Sequence, residues 1–424
     1  MIENQTNPWT PEDEREHYQS IIEWWCSMVH FKTDENKEYS FKSTFTEWNV
    51  FGKVGSILHS CLHDETKKKN YDFYRRNEKE KLETKKEEFY VKYNNSYMRG
   101  TYPKYKLFFH DKENDIKLDL EFKANSLPHW VAQDVTKGWL PMGGGTYRYG
   151  FIPNCNVTGT IEKDGKKSKI TGKGYFEHVW GNFLYGRPLT TIKELKKTLS
   201  TYFKTSLWWL NEHKPTTHQS IKISTDNNPF GYDWSWAVFD NGWSLFYGNI
   251  LGFIMKGPGA GLIILTKDGE NYKEFGNFSL KYNSTKKSKN FDFLYPDDFE
   301  IKAKSGKETL KLRFKMKSEA REYISRFKNS KLWKGFVICE APGEVNGYYS
   351  DGKEKIKLKG FCKIEPQRQV SIFGHNSLEI KFIKTKKKFG IKIDFESNYF
   401  KKKIKLETRI FPWPKIRFSF KRII

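Results

Sequence analysis

Cysteine is scarce in this sequence. Its 424 residues include five cysteines, scattered along the chain without a C-x-x-C pair. An odd number of dispersed thiols does not suit a disulfide framework and is typical of proteins from a reducing compartment. We therefore expect free, buried thiols in a cytoplasmic protein. The cysteines are Cys26, Cys61, Cys155, Cys339 and Cys362.

Long hydrophobic runs are also lacking. The most apolar stretch, residues 250–265, is interrupted by Lys256 and Pro258, whereas a membrane-spanning helix needs about 20 apolar residues. The beginning of the sequence has neither the basic nor the apolar region of a signal peptide. The expectation is a cytoplasmic chain whose contact with a membrane, if it has one, is peripheral.

Acidic residues are outnumbered by basic ones. The chain has 75 Lys and Arg against 51 Asp and Glu, a formal net charge of +24. Residues 381–424 hold half of this excess, with 15 basic and 3 acidic residues (15 − 3 = +12). Such a segment attracts anions, including an anionic membrane leaflet. No nucleic-acid recognition module is visible, so nucleic acid is not an expected partner.

Turn residues recur between short segments of alternating apolar and polar residues. Asp164-Gly165 and Asn241-Gly242 are examples, and such pairs are strong β-hairpin signals. Alternation continues through the basic C-terminal segment, which predicts that most of its charge lies on the outer face of strands. Repeated hairpins predict an all-β fold of antiparallel barrels or sandwiches.

One segment has helical periodicity instead. Residues 191–213 carry apolar side chains at a spacing near 3.6, which predicts an amphipathic helix. This helix would link two β domains, cover a pocket or lie on a membrane surface. The apolar positions are Ile192, Leu195, Leu199, Tyr202, Phe203 and Leu207.

Two clusters of reactive residues stand out from this scaffold. One strand pattern ends in Glu177, His178 and Trp180, and a second cluster spans residues 231–236 with Asp233 among aromatics. Alternation in a strand places His178 and Trp180 on one face and Glu177 on the other. His178 and Trp180 are therefore the expected pocket pair.

Four motifs in order resemble one family. They are Glu23-Trp24-Trp25, the segment 57–64, the segment 157–181 and the segment 231–242. Together they resemble the carotenoid 1,2-hydratase / AttH-like lipocalin family over most of the chain. The sequence departs from the family pattern at Val179, where relatives typically carry a second acid.

The resemblance implies two tandem lipocalin-like antiparallel β-barrels. We place the first at residues 1–188, a helical linker or lid at 189–220, and the second, with its basic outer face, at 221–424. It also implies a site for a hydrophobic ligand near the end of the first barrel. Relatives include isoprenoid hydratases, pericyclic cyclases and lipid-binding proteins, so the fold alone does not fix the chemistry.

The predicted activity is acid-catalysed hydration or cyclisation of a C=C bond in an isoprenoid-type substrate. A carboxylic acid buried among aromatics stays protonated, and aromatic faces stabilise a carbocation. Asp233 fits the proton donor and His178 its relay, with Glu177 as an alternative partner. The residues predicted to line the pocket are Trp25, Trp180, Tyr232, Trp234 and Trp236.

The alternative is a non-catalytic lipid or isoprenoid carrier that docks on anionic membranes. Val179 and the basic C-terminal segment favour it. No organic cofactor is predicted for either function. No metal is predicted, because His59, Cys61 and His63 share a strand face but lack a fourth ligand.

Overall fold

The computed structural model describes residues 8–50, 52–183, 192–212, 220–224, 231–326, 331, 333–385, 388–411 and 415–422. Strands dominate, and they form two large antiparallel sheets, which confirms the all-β prediction. The chain divides into two units. The first comprises Met1–Leu207, Gly242–Leu245 and Leu265–Lys273, and the second Trp208–Asn241, Phe246–Ile264 and Glu274–Ile424.

The first sheet has 13 strands in the order β4-β3-β2-β1-β13-β12-β9-β8-β7-β6-β5, and β10 and β11 pair with β12. A 3-10 helix at Pro11–Glu14 and a short helix α1 at Gln133–Thr136 accompany it. The strands are β1 (Ile22–Thr33), β2 (Glu38–Val50), β3 (Lys53–Asp64), β4 (Lys69–Asn77), β5 (Glu83–Thr84), β6 (Phe89–Tyr93), β7 (Ser96–Thr101), β8 (Lys104–Asp111), β9 (Ile116–Ala124), β10 (His129–Trp130), β11 (Trp139–Met142), β12 (Gly145–Lys163) and β13 (Lys166–Asn182).

The concave core of this sheet is aromatic. Trp25, Phe89, Tyr105 and Phe176 belong to one buried cluster, and Tyr105 stacks on Phe176 with ring centroids 4.4 Å apart. The chain before β1 also enters this core, because Trp9 is 3% exposed. Residues ahead of the first strand therefore help to build the interior.

The second sheet has 16 strands in the order β19-β18-β16-β15-β25-β24-β22-β21-β20-β17-β14-β26-β27-β28-β29, with β23 paired to β24. Its strands are β14 (Ser220–Ser224), β15 (Tyr232–Phe239), β16 (Ser244–Asn249), β17 (Ile254–Pro258), β18 (Gly261–Thr266), β19 (Tyr272–Phe275), β20 (Phe278–Lys287), β21 (Leu294–Ser305), β22 (Glu308–Met316), β23 (Arg321–Arg326), β24 (Trp333–Ser350), β25 (Lys355–Ser371), β26 (Asn376–Thr385), β27 (Lys388–Ser397), β28 (Lys402–Phe411) and β29 (Lys415–Arg422).

The predicted helix is present as α2 (Ile192–Glu212); residues 189–191 and 213–219 of the predicted linker lie outside the described residues. Its apolar face is exposed among the described residues. The buried positions are Thr198 and Thr201, and Thr198 donates a hydrogen bond to the carbonyl of Gly144. The six predicted apolar residues are instead exposed, from 37% at Tyr202 to 78% at Ile192.

In the part of the chain that the structure describes, no helix is both long enough and apolar enough to cross a bilayer.

The cysteines give a direct check of this fold. All five are free and buried, and burial raises the pKa of the Cys155 and Cys339 thiols above their usual range. The thiolate is the reactive form of cysteine. We therefore expect Ellman's reagent to react slowly with the native protein. In denaturant it should react with all five thiols. Rapid labelling of the native protein would contradict the placement of these residues.

Candidate functional site

Strand register brings the first reactive cluster together. On β1 and β13, Glu23 lies opposite Trp180, and Trp25 lies opposite His178. Side chains two residues apart on a strand share a face, so all four point into the same side of the sheet. His178 and Trp180 have ring centroids 4.7 Å apart, as the alternation argument predicted.

His17, Glu23 and His178 form a hydrogen-bonded chain. Glu23 Oε1 lies 2.8 Å from His178 Nε2 and 2.9 Å from His17 Nδ1. The backbone amide of His17 also donates to both carboxylate oxygens of Glu23. The side chains of His178 and Glu23 are 0% and 2% exposed, whereas that of His17 is 26% exposed. His17 is therefore the member of this chain that reaches solvent.

The position of the proton follows from the second nitrogen of His178. His178 Nδ1 lies 2.7 Å from the carbonyl oxygen of Asp13. A carbonyl can only accept, so Nδ1 must carry a hydrogen. Nε2 then faces Glu23 Oε1 at 2.8 Å, a contact that also requires a hydrogen between the two atoms. The pair therefore holds one proton, either as imidazolium and carboxylate or as imidazole and carboxylic acid.

The electrostatics keep Glu23 ionised and weaken the hold of His178 on its proton. Burial alone would raise the pKa of Glu23, but hydrogen bonds and charge from His17 and His178 outweigh it and lower that pKa. Burial lowers the pKa of His178 more than the Glu23 carboxylate raises it. An imidazolium whose pKa is lowered is a stronger acid, so this pair releases its proton readily.

Aromatic rings enclose the histidines. His17 stacks on Trp180 with ring centroids 3.8 Å apart, and Trp25 stacks on His178 at 4.7 Å. Gly150 lies opposite His178 on β12, where an added Cβ would come within 2.6 Å of Trp9. A glycine is thus required for the aromatic wall behind the cluster.

A second buried acid lies beside the cluster. Glu47 on β2 is the cross-strand partner of Glu23, and it is 2% exposed. Its Oε1 is 2.6 Å from Lys81 Nζ, which also pairs with Glu16, while its Oε2 is buried without a hydrogen-bond partner. Burial, with the Glu16 charge adding to it, raises the pKa of Glu47 to about 8. Glu47 is thus protonated near neutral pH.

Glu177 lies on the opposite face of β13. Its carboxylate accepts hydrogen bonds from Trp24 Nε1 at 3.1 Å, from the Tyr175 hydroxyl at 2.8 Å and from the Tyr149 hydroxyl. Val179 shares that face and belongs to a separate small apolar cluster. Strand alternation places both residues on the face of β13 opposite to His178, so an acid at position 179 would not face His178.

Asp233 has its own partners in the second sheet. Arg368 Nη2 donates to Asp233 Oδ1 at 2.7 Å, and the Tyr282 hydroxyl donates to Oδ2. Arg368 is 2% exposed, and a buried guanidinium needs a counter-ion. Asp233 thus has the environment of an ion-paired carboxylate, which differs from the neutral acid expected from the sequence.

The aromatics flanking Asp233 face the other side of β15. The Tyr232 hydroxyl donates to Glu365 Oε1 at 2.9 Å, and Trp236 contacts Phe361 with ring centroids 5.4 Å apart. Trp234 is on this face as well and is 6% exposed. Strand alternation therefore separates Asp233 from Tyr232, Trp234 and Trp236, which the sequence prediction had placed around one pocket.

Sequence reasoning missed His17 and Glu47 as site residues and used Glu23 as part of a motif that carries the family resemblance. His17 precedes β1 in irregular structure, so no periodicity marks it. The sequence did contain a signal for Glu47. It lies two residues after Phe45 on β2, so the two side chains share the same buried face. An acid on the apolar face of a strand indicates a built polar site.

The same three side chains are also those that could hold a metal ion. The ligand atoms of His17, Glu23 and His178 all lie within 4.8 Å of one another. His59, Cys61 and His63 do not form such a group among the described residues. The same short contacts are also those of a hydrogen-bonded chain that can transfer a proton.

The fold and this cluster define the class of the protein: an all-β, lipocalin-like protein with a buried histidine–glutamate–histidine chain in its first sheet. Residues 2–191 match the family model described as AttH-like. The resemblance seen in the sequence is thus confirmed over residues 2–191.

Two solved structures are similar over nearly their whole length. One, from Nitrosomonas europaea and assigned to AttH, has a TM-score of 0.55 and 15% identity, covering 86% of this chain and 98% of that one. Kievitone hydratase from Nectria haematococca has a TM-score of 0.54 and 10% identity, covering 84% and 92%. At these identities the likeness establishes a shared fold. No curated protein sequence matches the chain.

The raised pKa of Glu47 makes stability depend on pH. Its pKa is about 8 when folded and 4.5 ordinarily, so the native state binds the extra proton between these values. Stability from this group is full below about 4.5 and is lost as pH rises through about 8. We expect Glu47→Gln, which mimics the neutral acid, to flatten this decline in thermal melts across that range. The matched control is Glu83→Gln, because Glu83 forms an exposed ion pair with Lys92. A decline equally steep in Glu47→Gln and wild type would contradict the assignment.

Proposed function

We propose that the protein catalyses acid-assisted hydration or cyclisation of a C=C bond in a hydrophobic, isoprenoid-type substrate. The observation that carries the proposal is the chain of short contacts from His178 through Glu23 to His17, because such a chain can deliver a proton and both reactions begin with protonation of an alkene. The match of residues 2–191 to the AttH-like model supports this reaction class. So does the shared fold with kievitone hydratase, which is by its name a hydratase.

Each member of the cluster has a role. His17 reaches solvent and is the donor to the alkene carbon, and the His178–Glu23 pair resupplies its proton through Glu23 Oε1. In hydration, water attacks the other alkene carbon and its proton returns to the chain. In cyclisation, a second double bond attacks and a carbon-bound proton returns. The Trp180 ring, stacked on His17, is placed to stabilise the carbocation by its π face.

The test uses a panel of polyprenyl and carotenoid alkenes incubated in D2O and analysed by mass spectrometry. Acid protonation places one deuterium on the product carbon, whether water adds or a ring closes. We expect His178→Ala and Glu23→Gln each to lower turnover roughly hundredfold or more, the usual contribution of acid–base groups.

His30→Ala is the matched control. His30 lies on the same strand as Glu23 and pairs with Glu65 at 2.9 Å, outside the cluster. Asp233→Asn, measured in parallel with its melting temperature, tests the sequence-based prediction that Asp233 donates the proton. The proposed roles are refuted if the wild type turns over an alkene and His178→Ala and Glu23→Gln do so at the same rate.

The pH dependence of turnover gives an independent check. The donor chain must be protonated, and burial lowers the pKa of His178 below its ordinary 6.5. Activity should therefore be highest in acidic buffer and fall as pH rises through that lowered pKa. A profile that rises towards alkaline pH would indicate a base-catalysed reaction instead.

The same purified protein distinguishes the enzymatic function from the alternative, a non-catalytic carrier. Lipid extraction from the purified protein followed by mass spectrometry would reveal a stoichiometric, unmodified lipid in a carrier. If such a lipid is found and no alkene of the panel acquires deuterium, the carrier function replaces the enzymatic one.

A further inference from the structure

The second sheet has four strands that follow β25 in the sequence. β25 pairs with β15, as β13 pairs with β1 in the first sheet. After β25, four more strands, β26 to β29, run as consecutive antiparallel neighbours and join the sheet through β14. No strands follow β13 in this way in the first sheet. We refer to β26–β29 as the C-terminal meander.

Register sorts the side chains of the C-terminal meander into two unlike faces. One face consists of three cross-strand rows in which Thr408 is the single polar residue. Because cross-strand partners share a face, these rows form one continuous apolar surface. The rows are Leu378, Phe395, Ile404 and Phe420; Ile380, Ile393, Leu406 and Phe418; and Phe382, Ile391, Thr408 and Ile416.

The part of the chain that the structure describes leaves this apolar face largely uncovered. On the outermost strand, Ile416, Phe418 and Phe420 are 72%, 65% and 54% exposed. The row members on β26, β27 and β28 are only part-buried. An antiparallel sheet ordinarily turns its apolar face to a core, and an exposed patch of this kind marks an interaction surface.

The opposite face is charged, with basic residues in excess. Its rows hold Lys381, Lys392, Lys403, Lys405, Arg417 and Lys421 against Glu379, Asp394, Glu396 and Glu407. Lys403 pairs with Glu396 at 2.8 Å and Lys381 with Glu379 at 3.1 Å, while Glu407 is the cross-strand neighbour of Arg417. Among the described residues, no acidic side chain pairs with Arg417 or Lys421 on the edge strand. Residues 381–424 as a whole carry 15 basic and 3 acidic residues.

Charge decides between the occupants of this surface. A second copy of the chain would bring another 381–424 segment of net charge +12 (15 − 3) close to the first, and like charges repel. An anionic bilayer is complementary to the basic side chains and accepts aromatic and aliphatic residues at its interface. Lysine and arginine stems are long enough to keep their charges at headgroup level while the sheet lies on the surface.

We propose that the C-terminal meander is a docking surface for anionic phospholipid bilayers. Phe418, Phe420 and Ile416 enter the interface, and Arg417 and Lys421 bind lipid headgroup phosphates. Docking is independent of the reaction proposed above, and it would place the protein where hydrophobic substrates accumulate.

The test is flotation of the full-length protein with vesicles of phosphatidylcholine alone or with added phosphatidylserine, at low and high salt. We expect binding that requires phosphatidylserine and is lost at high salt, because salt screens exposed charges. Phe418→Ser/Phe420→Ser removes the apolar contact, and Arg417→Glu/Lys421→Glu reverses the edge charge. Each should weaken binding roughly tenfold or more. All four residues are exposed, so the fold is retained.

Phe203→Ser on α2 is the matched control, since Phe203 is an equally exposed aromatic at 68%. Its binding should equal that of the wild type, and equal loss in this variant would overturn the assignment to the meander. Light scattering without lipid tests the second-copy alternative. The proposal is refuted if a dimer forms that Phe418→Ser/Phe420→Ser dissolves, or if phosphatidylserine vesicles do not bind.

Discussion

The hydrogen bond between His178 and Glu23 is the interaction on which the account of this protein depends. Both side chains are removed from water, where an unshared charge would be costly. The Asp13 carbonyl fixes the hydrogen on His178 Nδ1, so the remaining nitrogen and the carboxylate oxygen can lie together only with a proton between them. The buried His178–Glu23 pair thus shares one proton.

The surrounding fold serves to hold this pair dry and connected. Trp25 and Trp180 pack against His178, which is fully buried, and His17 links the interior pair to the surface. Glu47, opposite Glu23 on β2, remains neutral and adds no second negative charge to the same space. Low local dielectric strengthens these contacts and makes their arrangement specific.

Sequence reasoning predicted the all-β scaffold and the shared strand face of His178 and Trp180. Hairpin signals predicted the all-β architecture, and alternation correctly separated His178 and Trp180 from Glu177. It could not find His17, because a residue in irregular structure obeys no period. It did not separate Asp233 from its neighbours Tyr232 and Trp234, although the same alternation applies to β15. The ion pair with Arg368 joins residues far apart in sequence and leaves no local trace.

Apolar periodicity does not coincide with burial in two amphipathic segments, α2 and β29. On α2 the threonines are buried and the leucines exposed, and on β29 both faces are open to solvent. Periodicity reports that a segment is amphipathic, and only tertiary structure shows which face has a partner.

The central claim is most directly tested by nitrogen-15 NMR of histidine-labelled protein. The account predicts that His178 carries hydrogen on both ring nitrogens at acidic pH, with a strongly downfield ring proton that disappears in Glu23→Gln and persists in His30→Ala. A neutral His178 with a bare Nε2 throughout the pH range in which the protein is folded would contradict it.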